Sequence, residues 1–364
     1  MVKKTSLYEE HRKMGGKLVE FAGFYMPIQY KNGILNEVRR VRNTVGVFDV
    51  SHMGEVEVKG KDALEFVNYI TINDASKLEP YQVQYSAMCY ENAGIVDDLL
   101  VYRLPDRFFL VVNASNTDKD FSWIMQNKRG DVEILNISDT ITQLAVQGSD
   151  ALNVVQRLTE YNLSEMQFYW SIETKVAGID AILSRTGYTG EDGFEIYIKN
   201  ENGVLLWNKV FNAGGEFNIE PIGLGARDLL RLEMKYCLYG NDIDKTTNPL
   251  EAGLSWITKL DKDEFISKEV LLEQKKLGIK RRLVCFEMLE KSIPRHHYEI
   301  FKDGDKVGFV TSGNFSPSIN KYIGLGYIDK PFHKLGTEVL IDMRGSKKKA
   351  VVVKPPFYKN ASHK

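Results

Sequence analysis

The segment after Gly278 constrains the fold more than any other part of the chain. From there to the C-terminus, short runs of alternating apolar and polar residues are separated by turn residues. These runs predict strands at 283–288, 298–302, 306–311, 322–328, 338–343 and 350–353. Short strands in close succession form an all-β module, which is either a barrel or a sandwich. The polar stretch from Glu273 to Arg282 is the predicted linker to this module.

The rest of the chain mixes helices and strands without strict alternation, which favours an α+β fold over a doubly wound one. Ile34, Val38, Val41 and Val45 recur at helical spacing and Gly46 follows as a stop, so a helix is predicted over 34–45. Further helices are expected after position 149, over 204–211 and over 225–236, with a β-region over 174–199.

The block from Ser51 to Ser138 is predicted to form one compact unit. It begins with a half-buried strand over 53–60 and a helix that Asp62 opens. Strands over 95–104 and 108–112 flank the turn residues at 105–106, as in a hairpin. Thr117 and Asp120 then resemble a capping box at the start of a helix.

Bulk properties exclude several classes of protein. A length of 364 residues suggests two or three domains, and a net charge of −1 does not predict a dominant nucleic-acid interface. No run of about 18 apolar residues exists, so no transmembrane helix is expected. Residues 1–17 lack the apolar core of a signal peptide, and the three widely spaced cysteines form no C-x-x-C, so a cytoplasmic protein is predicted. The histidines show no metal-ligand spacing, and no metal site is expected.

Asp97 and Asp98 interrupt an otherwise apolar strand. Side chains alternate along a strand, so the two carboxylates point to opposite faces, Asp98 together with Val96 and Leu100. Both faces are apolar, and an unpartnered carboxylate is costly to bury. Either the strand bulges or ends here with both carboxylates solvated, or one of them is held for a polar ligand.

Two further stretches depart from ordinary patterns. In 185–195, glycines recur every third residue before Asp192-Gly193, which indicates either a glycine-rich hairpin with a solvated Glu195 or a ligand contact. In 225–233, Arg227 and Arg231 share a helix face, which is unfavourable for like charges. Asp228 can pair with Arg231, so Arg227 is left either solvated or free to bind a planar anion or amide edge.

Together, these stretches resemble the glycine cleavage T-protein family of aminomethyltransferases. The resemblance extends in order along nearly the whole chain, and the ordered set is far more specific than any one member. The matching stretches are 48–55, 85–89, 94–99, 185–195, 225–233, 238–240, 248–256 and 311–317.

The resemblance implies an α+β fold in which three domains form a cloverleaf around a central folate channel. The first domain would be discontinuous, comprising 1–50 and 139–272, with 51–138 inserted as a second domain and 280–364 as a C-terminal β-barrel-like module. It also implies a reaction with the lipoylated H-protein. This carrier brings an aminomethyl group on sulfur, and tetrahydrofolate takes the methylene as co-substrate. Ammonia, 5,10-methylenetetrahydrofolate and the dihydrolipoyl carrier are the products.

Site residues follow from the same resemblance. Asp98 matches the family's key carboxylate, which would orient the folate and stabilise the cationic species formed as ammonia departs. Glu195 and Arg227 match groups that bind the pterin. Other matching positions would line or close the channel, with an apolar contact from Met53: Tyr85, Asn113, Tyr169, Tyr188 and, near the C-terminus, Tyr358.

Two positions depart from the family pattern. Tyr90 and Ala93 stand where the family more often has Asn and Gly, just before the aspartate pair. An alanine adopts positive φ in a turn less favourably than a glycine does. The loop is therefore expected to differ, while Asp98 keeps its place.

Two relatives with the same architecture offer alternative functions. One class consists of folate-binding factors for iron–sulfur cluster assembly, which carry an exposed cysteine before Gly-Gln-Glu. This chain has Cys237, but Gly240 is followed by Asn-Asp. The other class consists of folate-dependent demethylases, some of which are fused to a flavin domain, and no dinucleotide fingerprint is present here.

Overall fold

A computed structural model describes residues 2–363 of the chain. The helices are α1 (Tyr8–Lys13), α2 (Ile34–Asn43), α3 (Ala63–Ile70), α4 (Thr117–Gln126), α5 (Ala151–Gln156), α6 (Gly203–Gly214), α7 (Leu224–Glu233) and α8 (Lys268–Leu277). The first thirteen strands are β1 (Lys17–Phe21), β2 (Phe24–Gln29), β3 (Gly46–Asp49), β4 (Gly54–Lys59), β5 (Val83–Cys89), β6 (Ile95–Arg103), β7 (Phe108–Val112), β8 (Glu133–Asn136), β9 (Ile141–Gln147), β10 (Ser171–Val176), β11 (Ile179–Ser184), β12 (Gly193–Lys199) and β13 (Glu220–Pro221). The later strands are β14 (Arg281–Met288), β15 (Glu299–Lys302), β16 (Asp305–Ser316), β17 (Lys321–Asp329), β18 (Glu338–Met343) and β19 (Ser346–Val353).

A five-stranded sheet of order β5-β6-β7-β4-β8 is built from residues 54–136. The predicted hairpin is confirmed, because β6 and β7 pair antiparallel with Leu100 opposite Val111. Helices α3 and α4 cover one face, where Phe66 and Trp123 pack on Val56 and Leu110. The predicted half-buried strand over 53–60 is wrong in one respect: β4 is mostly buried, since its other face is also covered.

The start of α4 differs from the predicted capping box. The helix begins after Asn116 with no side-chain cap, and the Thr117 hydroxyl donates instead to the carbonyl of Ala114. A turn of 3-10 helix precedes the helix, so Thr117 already lies in the first helical turn. Asp120 consequently points into the protein, where it is fully buried.

A six-stranded sheet of order β10-β11-β12-β9-β3-β13 forms a second layer. Only β13 runs parallel to its neighbour, so the sheet is mixed. Side chains alternate along β12, so that Phe194, Ile196 and Ile198 pack on Trp207 of α6. Glu195 lies on the opposite face of the strand.

The predicted all-β module is confirmed as a closed barrel of order β14-β17-β16-β15-β18-β19. Its interior is apolar and includes Phe286, Ile300 and Ile341. The predicted linker over 273–282 is partly wrong, because α8 extends to Leu277 and ends at Gly278, whose φ is +81°. The polar residues there form the exposed face of a helix that buries Leu271.

Every helix within residues 2–363 is too short or too polar to span a lipid bilayer.

Candidate active site

A cavity of about 1200 Å³ lies where the two sheets, α7 and the barrel meet. Its lining combines apolar walls with a few buried polar groups, as is typical of small-molecule sites. Asp98, Glu195 and Arg227, which were predicted from separate stretches, all line it. Other predicted residues that line it are Met53, Tyr85, Asn113, Tyr169 and Tyr188.

Asp98 projects from β6 into the cavity, and its carboxylate is held from two sides. The Tyr85 hydroxyl donates to Oδ2 at 2.8 Å, and the Asn113 side-chain amide donates to Oδ1 at 2.8 Å. Burial, together with the nearby negative charge of Asp97, raises the pKa of Asp98 to about 7. The carboxyl group is therefore poised between its two protonation states near neutral pH.

A bulge in β6 at Val96 changes the face on which that residue lies, while Asp97 and Asp98 keep the regular alternation. Asp97 pairs with Met88 and Ile95 with Cys89, so Val96 between them has no partner across the strands. Val96 consequently packs under the helices with Leu99, and its predicted position beside Asp98 is wrong. A bulge is present, but both carboxylates are buried rather than solvated.

The loop before this bulge contains the two departures from the family pattern. Ala93 adopts a φ of +67°, the left-handed region that glycine occupies most easily, so the alanine takes the positive φ that was expected to be unfavourable for it. Tyr90 packs against the core beneath α3 and α4. Neither residue lines the cavity.

Glu195 is buried on the cavity side of β12. Its Oε1 accepts from the Gln143 side-chain amide at 3.0 Å, and its Oε2 accepts from the Thr186 hydroxyl. Burial raises the pKa of Glu195, and the Thr186 bond, Arg227 and Gln143 act in the opposite direction. The interpretation of Glu195 as a solvated hairpin residue is wrong.

The glycines around Glu195 have a packing role. A Cβ at either Gly187 or Gly193 would collide with the Gln147 side chain, whose amide donates to the Thr186 carbonyl. Arg185 and Asp192 close the loop with a two-pronged ion pair of 2.8 and 2.6 Å. The glycine spacing therefore fixes a tight loop that supports Thr186 and Glu195.

The two arginines of α7 have different surroundings. Arg231 is fully buried and bonds Asp228, as predicted, and also Asp242. Arg227 is half-buried in the cavity wall, and its guanidinium lies 4.6 Å from the Tyr188 ring centre. Among residues 2–363, no carboxylate or carbonyl accepts a hydrogen bond from Arg227. A cation with open donors therefore faces the cavity beside Glu195.

Tyr358 does not line the cavity. Its ring stacks on Arg42 at 4.1 Å, and its backbone N–H donates to the Glu233 carbonyl. Arg42 is itself held by Glu191 and Glu233 at 2.8 and 2.7 Å, so this cation–π contact is anchored away from the cavity. The prediction that Tyr358 closes the channel is not supported by this position.

Several cavity residues were missed by the sequence reasoning. Gln143 interrupts the apolar pattern of β9, and that interruption was an available signal. Trp256 is 62% exposed and stacks on Tyr85 with ring centres 6.0 Å apart. A basic group lines one side of the cavity and carries no local motif: Arg282, His333, Lys334 and Lys354.

The cysteines and histidines show no sign of nucleophilic or metal chemistry. All three cysteines are buried and unpaired, and burial raises the pKa of Cys237 to about 12, so its thiol is not activated. Within residues 2–363, no cluster of three or more potential ligands could hold a metal ion. His296 and His297 lie in a turn with ring centres 3.7 Å apart.

Known proteins of one family match this chain along nearly its whole length. The GCVT N-terminal domain matches residues 7–262, and the glycine cleavage T-protein C-terminal barrel domain matches residues 281–359. An aminomethyltransferase of Bacteroides fragilis is 51% identical over 362 residues, which cover 98% of this chain and 100% of the relative. One from Caldanaerobacter subterraneus subsp. tengcongensis is 48% identical over 361 residues, with 98% and 96% covered.

A solved structure shows the same fold. The crystal structure of glycine cleavage system aminomethyltransferase T from Bartonella henselae superposes with a TM-score of 0.94, at 35% identity and with 100% of both chains covered. The chain therefore belongs to the glycine cleavage T-protein family, and its function is aminomethyl transfer in the glycine cleavage system.

Proposed function

We propose that the cavity binds tetrahydrofolate and that the enzyme transfers to it the methylene of the S-aminomethyl-dihydrolipoyl arm of H-protein. The products would be 5,10-methylenetetrahydrofolate, ammonia and the dihydrolipoyl H-protein. One observation carries the proposal: Asp98, Glu195 and the open guanidinium of Arg227 line a single cavity of about 1200 Å³. A cavity of that size accommodates a ligand as large as a folate together with the end of a carrier arm.

Recognition of the pterin is assigned to Glu195 and Arg227. A pterin edge presents amino and ring N–H donors beside a ring carbonyl, and a carboxylate next to a guanidinium complements that pattern. Arg227 has open donors, and the buried Oε1 of Gln143 also lacks a partner among the described residues. Because unpaired buried polar groups are unfavourable, these atoms favour a polar ligand at this end of the cavity.

The remaining cavity residues would bind the body of the ligand. Tyr169 and Tyr188 supply aromatic surface near the proposed pterin end, and Met53 supplies an apolar contact. Tyr85 and Asn113 act through Asp98, since both donate hydrogen bonds to its carboxylate. Tyr358 is proposed to have no direct part in binding, because it stacks on Arg42 instead.

Asp98 is the proposed catalytic residue. Positive charge develops on the one-carbon unit as ammonia leaves, and a fixed carboxylate in a desolvated site stabilises such charge. Tyr85 and Asn113 hold the carboxylate in place before the substrates bind, so little reorganisation is needed. With a pKa of about 7, Asp98 is also able to accept or return a proton at neutral pH.

Two further assignments accompany the reaction. We propose a cytoplasmic location, which the three unpaired, buried cysteines favour. We also propose the division into 1–50 with 139–272, 51–138, and 280–364. It is supported by the sheets, since β3 joins strands from the 139–272 segment whereas the five-stranded sheet draws only on 54–136.

An isotope experiment tests the proposed reaction. H-protein carrying a carbon-13 aminomethyl group is incubated with the enzyme and tetrahydrofolate, and the label is followed by NMR. We expect the label to appear in 5,10-methylenetetrahydrofolate in step with ammonia release. Label that stays on the carrier, or leaves it at the same rate without folate, would contradict the proposal.

A further inference from the structure

A second pair of carboxyl groups lies behind the cavity, on the far face of β6. Asp97 is fully buried there. It accepts hydrogen bonds from the Asn113 backbone N–H at 2.9 Å, from the Asn113 side chain at 3.0 Å and from Asn116 at 2.7 Å. The Asn113 amide that bonds Asp97 is the same group that bonds Asp98 at 2.8 Å. One amide therefore links the cavity carboxylate to a buried one.

Asp120 of α4 is the second member of this pair, because two neighbouring side chains of the same helix segment bring it against β6. Asn116, four residues before Asp120, donates to Asp97 at 2.7 Å, and Lys119 donates to the carbonyl of Val96, the residue before Asp97. Asp120 too is fully buried, and neither carboxyl oxygen accepts a hydrogen bond from any residue between 2 and 363. Lys119 Nζ lies 3.4 Å from Oδ1, but it donates to the Val96 carbonyl and rests on the Tyr239 ring at 4.2 Å. A buried carboxylate without donors is unfavourable, so the neutral acid is the favoured form.

Apart from Lys119, the titratable groups around the pair supply no competing charge. Burial and the adjacent negative charge of Asp97 raise the pKa of Asp120 to about 11, with Lys119 acting in the opposite direction. The other titratable groups on this side are Tyr90 and Tyr239, whose pKa values are both raised by burial. On the cavity side, Asp98 faces Tyr85, Tyr188 and Cys237, all of which stay neutral because burial raises their pKa values.

We propose that Asp120 is a neutral acid whose O–H donates a hydrogen bond to Asp97. Asp97, whose negative charge is fixed in this way, orients the Asp98 carboxyl group through Asn113 and controls its ionisation. The pair carries a single negative charge, which lies on Asp97. That charge opposes ionisation of Asp98 from behind, while Asn113 fixes the direction of its carboxylate. Asp97 and Asp120 are thus positioning residues, and their effect on turnover rests on the proposed function.

Substitutions that change the charge behind Asp98 should move the pH profile of the reaction. In Asp97→Asn, the opposing charge is gone, so the acid limb of kcat/KM is expected to move to lower pH by about one unit. In Asp120→Val, no O–H remains to stabilise the charge on Asp97. Asp97 then keeps only its amide donors from Asn113 and Asn116 and is held less firmly behind Asp98, so the limb is expected to move in the same direction by a smaller amount.

Asp120→Asn is the rescue variant, because an asparagine N–H can replace the O–H as donor to Asp97. We expect its acid limb to stay at the wild-type pH. Glu55→Gln is the matched control: Glu55 is a fully buried carboxyl of the same sheet, without hydrogen-bond partners, and it does not line the cavity. Its substitution is expected to leave the limb unmoved.

The neutral form of Asp120 is testable without activity. A carboxyl group whose folded pKa is raised loses stability as pH rises from its ordinary pKa towards the raised one. Asp120→Asn removes that loss. The melting temperature of the variant, measured relative to that of wild type, should therefore rise between about pH 6 and about pH 9. The infrared difference spectrum should also lose one protonated-carboxyl stretch.

The outcomes separate this proposal from the proposed function. An unmoved limb in Asp97→Asn, or a shift in Asp120→Asn equal to that in Asp120→Val, would overturn the tuning role. If Asp120→Asn neither gains stability with rising pH nor loses the infrared band, Asp120 is ionised and the pair is refuted. If wild type transfers no methylene to folate, the proposed function fails, and the stability and infrared results still decide the pair.

Discussion

The barrel and the cavity wall are both built from antiparallel strands, but they treat polar residues in opposite ways. Inside the barrel, the buried positions of neighbouring strands are apolar, as at Phe286, Ile300 and Ile341. In the cavity wall, β6, β9 and β12 instead bury Asp98, Gln143 and Glu195. Burial of such groups does not help folding unless they are paired. The apolar interior of the barrel therefore contributes to stability, whereas the cavity wall buries polar groups that folding alone does not require.

Removing the charge of Asp98 should have the largest effect. Asp98→Asn keeps the shape of the side chain but removes the carboxylate, so we expect turnover to fall by about 10³-fold, as for the loss of one preorganised electrostatic contact. The dissociation constant for tetrahydrofolate, measured by calorimetry, should change little. Full turnover in this variant would show that the carboxylate is not catalytic.

A substitution that creates a cavity inside the barrel should lower the stability of the protein and leave turnover unchanged. Ile341→Ala deletes buried methyl groups, so we expect a loss of about 3 kcal/mol in the free energy of unfolding. The kcat of the remaining folded enzyme should match wild type, since Ile341 is not in the cavity lining. Denaturant unfolding and active-site titration measure the two quantities. A large loss of kcat at unchanged stability would break the comparison between the two regions.

Arg227 and Arg231 allow a sharper test within one helix. Arg227→Ala should weaken folate binding by about 10- to 100-fold, because a charged hydrogen-bond donor to the ligand is lost. Arg231→Ala should instead destabilise the fold, since it leaves the buried carboxylate of Asp242 unpaired. Folate titration and thermal unfolding of both variants distinguish these effects. An unchanged dissociation constant for Arg227→Ala would count against its role.

The smallest expected effect lies in a barrel turn. Arg344 and Gly345 connect β18 and β19 with positive φ angles of +58° and +87°. Asparagine is favoured at the first position of such a turn, so Arg344→Asn should stabilise the protein by about 0.5 kcal/mol. Differential scanning calorimetry would register a slightly higher melting temperature with unchanged turnover. A lower melting temperature would show that the arginine side chain makes a stabilising contact.

The same contrast explains how much was predictable from the sequence. Strands of the barrel and the hairpin of β6 and β7 follow from alternation alone, and their positions were confirmed. Local rules failed at Val96 and Asp120, because the bulge in β6 and the turn before α4 depend on contacts with other elements. The linker prediction failed because an exposed helix face and a linker have similar polar compositions.

The residues of the site were predictable from the sequence, but the contacts between them were not. Asp98, Glu195 and Arg227 were found as exceptions to local patterns, and the family resemblance grouped them. The bridging role of Asn113 and the open donors of Arg227 emerge only when distant segments are brought together. The tail position of Tyr358 was not predictable, because its partner Arg42 lies at the other end of the chain.

The most direct test of the account is ammonia release from aminomethylated H-protein, measured with and without tetrahydrofolate at several pH values. We expect rapid release only with folate, and a rate that falls as pH drops through about 7, where protonation removes the charge of Asp98. Release that does not depend on folate, or a rate that Asp98→Asn leaves unchanged across this pH range, would contradict the account.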